Sequence, residues 1–185
     1  MQQKLKDQLN LEKNLLCMGE FFHVRCCAHV LNLIVQEGLK VIDSACQKIR
    51  ESISYVKVSE GRMICFQDCA KSVSVDSGVL LRLDVPTRWN FTYTMLESAL
   101  RYKDVFNNLD IYDPNYKNCP SEEEWKRGEL ICNFLKPFFD MTNLISGSTY
   151  PTSNLYFGQI WKIERFLLHN INNDMLSSLC KTCFS

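Results

Sequence analysis

The chain has 185 residues, 46% of them hydrophobic, enough to bury roughly 70% of its unfolded surface, and this excludes a chain kept open by its own polarity. Its 21 lysine and arginine residues equal its 21 aspartate and glutamate residues, so the whole chain exerts no net pull on a polyanion or an anionic membrane, and any nucleic-acid contact must come from a local patch. Charged residues follow Met1 and no apolar run approaches the roughly 20 residues that cross a bilayer, so the ten cysteines read as thiols in a reducing compartment, cytosol or nucleus.

Lys4 to Leu16 mixes charge and leucine as a short surface helix does, and Gly19 marks the turn after it. Phe21 to Cys26 reads as a strand, with Phe22, Val24 and Cys26 on one side and Phe21, His23 and Arg25 on the other. From His29 the period lengthens. Leu31, Ile34, Ile42, Ala45, Ile49, Ile53 and Val56 recur at helical spacing and predict one long amphipathic helix, with Gly38 as a weak point. Arg62 to Ser72 adds another helix. Asp76-Ser77-Gly78 signals a turn, and Leu81, Leu83 and Val85 alternate as in an extended segment that Pro86 closes. Thr87 is placed to cap a helix carrying Met95, Leu96, Ala99, Leu100, Tyr102, Val105, Phe106 and Leu109.

Asp110 to Pro120 has the composition of an exposed loop. Ser121 and Glu124 form a capping box, in which each side chain satisfies a backbone N–H that the first helical turn leaves unpaired. The helix they open carries Ile131, Phe134, Leu135, Phe138, Met141, Leu144 and Ile145 on its apolar side, and Pro137 is expected to kink it. After a break at Gly147 to Pro151, Thr152 or Ser153 caps a last helix with Tyr156, Ile160, Ile163, Leu167 and Ile171 in register. No internal repeat or low-complexity tract interrupts this order, and the fold class it gives is mostly α, with one or two short strands.

The densest polar cluster, His23, Arg25, Cys26, Cys27 and His29, sits where strand hands over to helix. Cys26 and His29 are spaced for two zinc ligands, with Cys17 or His23 as a third, but no second pair follows at a finger-like distance and plain packing is the simpler reading. Nothing singles out a reactive thiol for a cysteine protease. Cys180 and Cys183 make a CxxC without a βαβ context or a partner pair, which suits an incidental tail. Within Asp84-Val85-Pro86-Thr87-Arg88-Trp89-Asn90, Arg88 could grip a phosphate while Trp89 stacks on an unpaired base; equally, Trp89 could anchor the core with Arg88 as its exposed neighbour. Glu122, Glu123 and Glu124 are explained by the helix dipole rather than by a metal. Tyr150, Tyr156, Phe157 and Trp161 fit a core or interface better than a cofactor box.

Three blocks in order, His23 to Val35, Asp84 to Glu97, and Phe134 to Phe138 followed by Ser146 to Asn154, resemble the plant-type hAT-superfamily transposases. Many of these carry an amino-terminal BED zinc finger, and some are domesticated, sleeper-like nuclear proteins. The resemblance covers about residues 4 to 174. It implies a ribonuclease-H-like core interrupted by a helical insertion, three carboxylates that hold divalent metal such as magnesium for strand cleavage, and a nuclear location. It places Cys26 and His29 on the family's Cys/Asp-x-x-His motif, and Arg88 and Trp89 on its Arg-Trp motif, whose Trp is thought to steady a flipped base.

The resemblance divides the chain into residues 1–55 as a truncated ribonuclease-H-like core segment, 56–174 as a helical insertion domain, and 175–185 as a divergent tail. The family's catalytic Asp, Asp and Glu, its BED finger and its dimerisation segment have no counterpart in these residues. The expectation is therefore a non-enzymatic fragment of a transposase or a domesticated derivative, with no catalytic residue, no bound metal, no membrane contact and no small-molecule substrate. Its partners would be DNA, weakly held through Cys26, His29, Arg88 and Trp89, or another copy of itself or a transposase-like protein. The alternative is a helical protein-interaction module.

Overall fold

A computed structural model describes residues 27–75, 80–85, 88–146 and 153–172. These residues form six helices: α1 Cys27–Lys57, α2 Glu60–Ser72, α3 Trp89–Arg101, α4 Lys103–Tyr112, α5 Glu122–Ser146 and α6 Ser153–Asn170. The mostly α expectation holds among them. The expected strand Phe21 to Cys26 and the helix Lys4 to Leu16 lie outside the described residues.

The long helix forms as its periodicity dictates. Val35, Cys46, Ile49, Ile53 and Val56 lie along one stripe of α1 and are buried, and that stripe packs on α5 and α3. A second layer pairs α2 with α4 alongside α1, and α6 leans on α5 through Ile163 and Leu167. The two layers meet in an aromatic cluster, where Phe106 lies 5.0 Å from Phe66 and 5.9 Å from Trp125 between ring centroids.

At the junction of α1, α3 and α5 the backbones come close. A Cβ added at Gly128 would stand 2.6 Å from Ile49 Cδ1 and 3.7 Å from Leu96 Cδ2. Here glycine serves for its lack of a side chain, because the neighbouring methyl groups already fill the space.

Four sequence expectations are corrected. Leu81 to Val85 is not a strand: it finds no neighbouring edge among the described residues, and its one ladder contact is an isolated bridge between Val85 and Arg88. The burial pattern also differs from alternation, since Leu81 and Asp84 are buried while Leu83 and Val85 are exposed. The helix expected to run to Leu109 breaks at Tyr102 into α3 and α4. No glycine or proline stands there; the turn lets Tyr102 meet Phe66 edge-on at 5.4 Å and swings Val105, Phe106 and Leu109 toward α2, so packing overrides local propensity. The cap position of α3 is Arg88, with no side-chain cap, rather than Thr87, which lies outside the described residues. The helix α2 starts two residues earlier than read, capped by Ser59 on the Arg62 N–H. The helix α5 continues through Pro137, with Phe138 and Met141 buried beyond it.

The capping box forms as read. Glu124 N–H donates to Ser121 Oγ at 3.3 Å, and Ser121 N–H donates to Glu124 Oε2 at 2.8 Å. That backbone donor, with the Ser121 hydroxyl and Lys48 adding to it, holds the Glu124 carboxyl below the usual glutamate range. A depressed carboxylate contributes stability that is present above the unfolded-state value and is lost as pH falls through the folded one.

Ser121→Ala is therefore expected to lower stability by about 1 kcal/mol at neutral pH. Below about pH 4, where an ordinary glutamate gains its proton, the gap to the unaltered chain should narrow in denaturant melts. A gap that widened in acid would contradict this. At the helix junction, Gly128→Ala has to displace the Ile49 δ-methyl, which Ile49→Val removes. A double-mutant cycle should show the alanine tolerated better in the Ile49→Val background, by about 1 kcal/mol. Simple additivity would mean the two helices do not touch there.

Candidate functional site

Residues 80–85 form a strap across the outside of α1 and α3, held at four places. Lys57 Nζ donates to the Leu81 carbonyl at 3.1 Å, and the Arg82 N–H donates to Ser98 Oγ, a buried hydroxyl on α3, at 3.1 Å. Arg50 of α1 grips Asp84 with both ends of its guanidinium, Nε to Oδ1 at 2.9 Å and Nη2 to Oδ2 at 2.8 Å. Arg88 N–H then donates to the Val85 carbonyl at 2.9 Å, which turns the chain into α3.

The Arg50–Asp84 pair is the strongest of these ties. The Asp84 side chain is 2% exposed and that of Arg50 is 19% exposed, so the two-point bond works in a poorly hydrated place where a lone carboxylate would be costly. The planar fork also fixes the direction of the strap, which one point charge could not do.

Of the four residues singled out by motif, the structure describes two side chains. Cys26 lies outside the described residues, and His29 belongs to the first turns of α1 with its side chain outside them. Arg88 and Trp89 are neighbours that point opposite ways. Arg88 sits exposed at the N-cap of α3 in extended geometry, while the Trp89 ring is buried at 2% exposure. In this arrangement Trp89 anchors the start of α3 and Arg88 is left at the surface above it.

Electrostatics along the strap follow from the clamp. Arg50 neutralises Asp84, while Arg82 and Arg88 are exposed and make no ion pair among the described residues. The N-terminal end of α3, where Arg88 makes no side-chain cap, adds the partial positive charge of the helix dipole. Leu80, Leu83, Val85 and Phe91 stand exposed among these cations. Sequence reading did not find Arg50, Lys57, Arg82 or Ser98. The one available signal was an arginine set between the buried positions Ile49 and Ile53 of the α1 stripe.

The acidic residues are engaged elsewhere. Glu122 pairs with Lys103 at 2.8 Å, Asp68 with Lys71 at 2.8 Å, and Asp140 with Lys136 at 3.2 Å. Asp113 accepts from the Tyr55 hydroxyl at 2.8 Å, the chief reason its carboxyl stays below the usual range. Among the described residues no three His, Cys, Asp or Glu side chains are grouped to hold a metal ion, and no helix is long and apolar enough to cross a membrane.

Residues 24–134 match the family model of the ZBED1 RNase-like helical domain, a span that includes α1 to α4, the strap and the first half of α5. The chain is 40% identical over 179 residues to the zinc finger BED domain-containing protein RICESLEEPER 2 of Oryza sativa subsp. japonica, covering 96% of this chain and 25% of that protein. It is 41% identical over 162 residues to the putative AC transposase of Zea mays, covering 86% of this chain and 20% of that one. A more distant similarity, 26% over 123 residues, reaches the zinc finger BED domain-containing protein 4 of Homo sapiens, covering 65% of this chain and 10% of that one. The chain thus spans about a quarter or less of the length of these relatives. No solved structure matches it.

The clamp predicts an asymmetry. Arg50→Met strands a buried carboxylate and is expected to cost about 3 kcal/mol, whereas Asp84→Asn leaves a guanidinium that can turn to water and should cost about 1 kcal/mol. Urea midpoints of the two variants measure this, and equal losses would show that Asp84 is hydrated.

Proposed function

This chain belongs to the hAT transposase superfamily, through the helical domain shared with plant BED zinc finger proteins and AC transposases, and on that premise we propose that its strap binds the DNA backbone without cutting it. The carrying observation is the pair of exposed guanidinium groups, Arg82 and Arg88, on a strap whose carboxylate is already neutralised by Arg50. In a chain of zero net charge such a local pair of cations, with no ion pair among the described residues, is what a phosphate needs.

In this reading Arg88 takes a phosphate bidentately and the N-terminal dipole of α3 favours the anion beside it. Trp89 works from beneath, because a ring buried in the core holds the α3 entrance fixed and so fixes Arg88. Stacking on a flipped base would require that ring to leave the core, and its burial favours the anchoring role. Cys26 and His29, the other two motif positions, are proposed as DNA contacts on the family motif alone. The proposed location is nuclear, where duplex DNA is the available polyanion.

Strand cleavage by this family's chemistry needs clustered carboxylates to hold its metal ions. The occupation of Asp84, Asp113, Glu122 and Glu124 by Arg50, Tyr55, Lys103 and the capping box favours a non-cleaving role for this segment. It would serve as a remnant or domesticated derivative of a transposase.

A second reading rests on Leu80, Leu83, Val85 and Phe91, apolar side chains left exposed beside the arginines. They suit a protein interface with a second copy or a transposase-like partner, where aromatic and arginine side chains carry most of the energy. Salt separates the two readings, because phosphate contacts weaken steeply with ionic strength and apolar ones do not.

Binding of the chain to a fluorescent duplex, followed by anisotropy from low to high salt, tests the proposal. Arg88→Ala and Arg82→Ala should each lower the slope of log affinity against log salt by about 1. Unchanged slopes, or a duplex that does not bind, would reject DNA contact at the strap. Salt-insensitive self-association lost in Phe91→Ser would favour the protein interface instead. A nick that depends on added magnesium would overturn the non-cleaving role.

A further inference from the structure

On the opposite layer, α2 and the end of α4 border an open surface cavity of about 580 Å³, lined by Gly61, Ile64, Cys65, Asp68, Cys69, Ser72 and Tyr112. Its lining from α2 repeats at three and four residues, so one face of the helix looks into it. Two free thiols stand on that face one turn apart, Cys65 partly exposed and Cys69 buried. Asp68 is held by Lys71 at 2.8 Å, and the Ser72 hydroxyl donates to the Cys69 carbonyl while accepting from Asn108 at 2.8 Å. The soft donors at the cavity wall are the two sulfurs.

We propose that Cys65 and Cys69 form a dithiol site for a soft monovalent cation, copper(I), held between two thiolate sulfurs within the α2–α4 cavity. Neither the DNA-binding reading nor the family resemblance assigns this site.

The spacing argues for a metal bridge over a disulfide. Residues one turn apart on a helix have Cβ atoms about 5–6 Å apart. A disulfide needs them at about 4 Å, so closing one would distort the α2 backbone. A soft ion bound between two thiolates holds the sulfurs roughly 4–5 Å apart, which this helical spacing can supply without drawing the Cβ atoms together. The donor number selects the ion. No third His, Cys, Asp or Glu joins the pair among the described residues, which leaves a four-coordinate zinc site short of ligands, whereas copper(I) prefers soft thiolates.

Burial pushes the Cys69 thiol above its ordinary range, and the adjacent Cys65 thiol, hydrogen-bonded to it, adds to the rise. A soft ion must therefore displace the Cys69 proton in order to bind there. Two S–H bonds break, two Cu–S bonds form, two protons pass to water, and no electron moves.

The test is anaerobic titration of the full 185-residue chain with copper(I) against a chromophoric copper(I) chelator, with bound metal counted by native mass spectrometry. Cys65→Ser and Cys69→Ser should each bind one ion fewer than the unaltered chain, and Cys132→Ser, altered at a buried thiol on α5, should keep the full count. Where a serine variant does not fold, the unaltered chain gives the answer: stoichiometric copper(I) should protect Cys65 from a maleimide, as mapped by peptide mass. An undiminished count, a Cys65 that stays reactive, or a Cys65–Cys69 disulfide formed under mild oxidant before any metal is taken up would each overturn the site.

Discussion

The two-point bond between Arg50 and Asp84 sets the geometry on which the rest of the surface depends. A carboxylate with almost no access to water is costly without a fixed partner, so the strap has one register against α1. In that register Leu81 enters the core, the Arg82 amide meets Ser98, and the chain turns at Val85 to bring Arg88 to the α3 entrance. Trp89 closes the arrangement from below. The exposed cations owe their positions to interactions that are themselves hidden from solvent.

Beneath the strap the packing is tight and unforgiving. The α1, α3 and α5 helices share a junction at Gly128 where a single added carbon meets the Ile49 methyl, and the aromatic cluster around Phe106 ties this layer to α2 and α4. Such a core positions surface groups well, because side chains in it have few alternative arrangements. The α2–α4 layer is different in kind: it leaves an open cavity whose wall carries two thiols.

Local features of the fold could be read from the sequence. The Ser121–Glu124 box is a contact between residues three apart, and the Ile49, Ile53 and Val56 stripe is a periodicity, so both are complete within a short window. Features decided by distant partners could not. Arg50 and Asp84 are 34 residues apart, and nothing near either one names the other. The break at Tyr102 follows from the pull of Phe66 on α2, and the Leu81 to Val85 segment alternates like a strand yet meets no edge to pair with. At the candidate site the motif Arg88-Trp89 was legible as a unit, whereas the opposite orientation of its two side chains is a consequence of the fold. The Cys65 and Cys69 pair gave no signal among ten cysteines until a cavity appeared beside it.

The family is that of plant BED zinc finger proteins and AC transposases, and the strap is the proposed contact with DNA. Hydrogen–deuterium exchange with and without a DNA duplex tests that most directly, since it reports where contact occurs and needs no substitution. Slowed exchange at the strap, residues 80–85, and in the first turn of α3, with α5 unchanged, is the expected result. Protection centred on α5 or α6, leaving the Arg82 and Arg88 amides untouched, would contradict it.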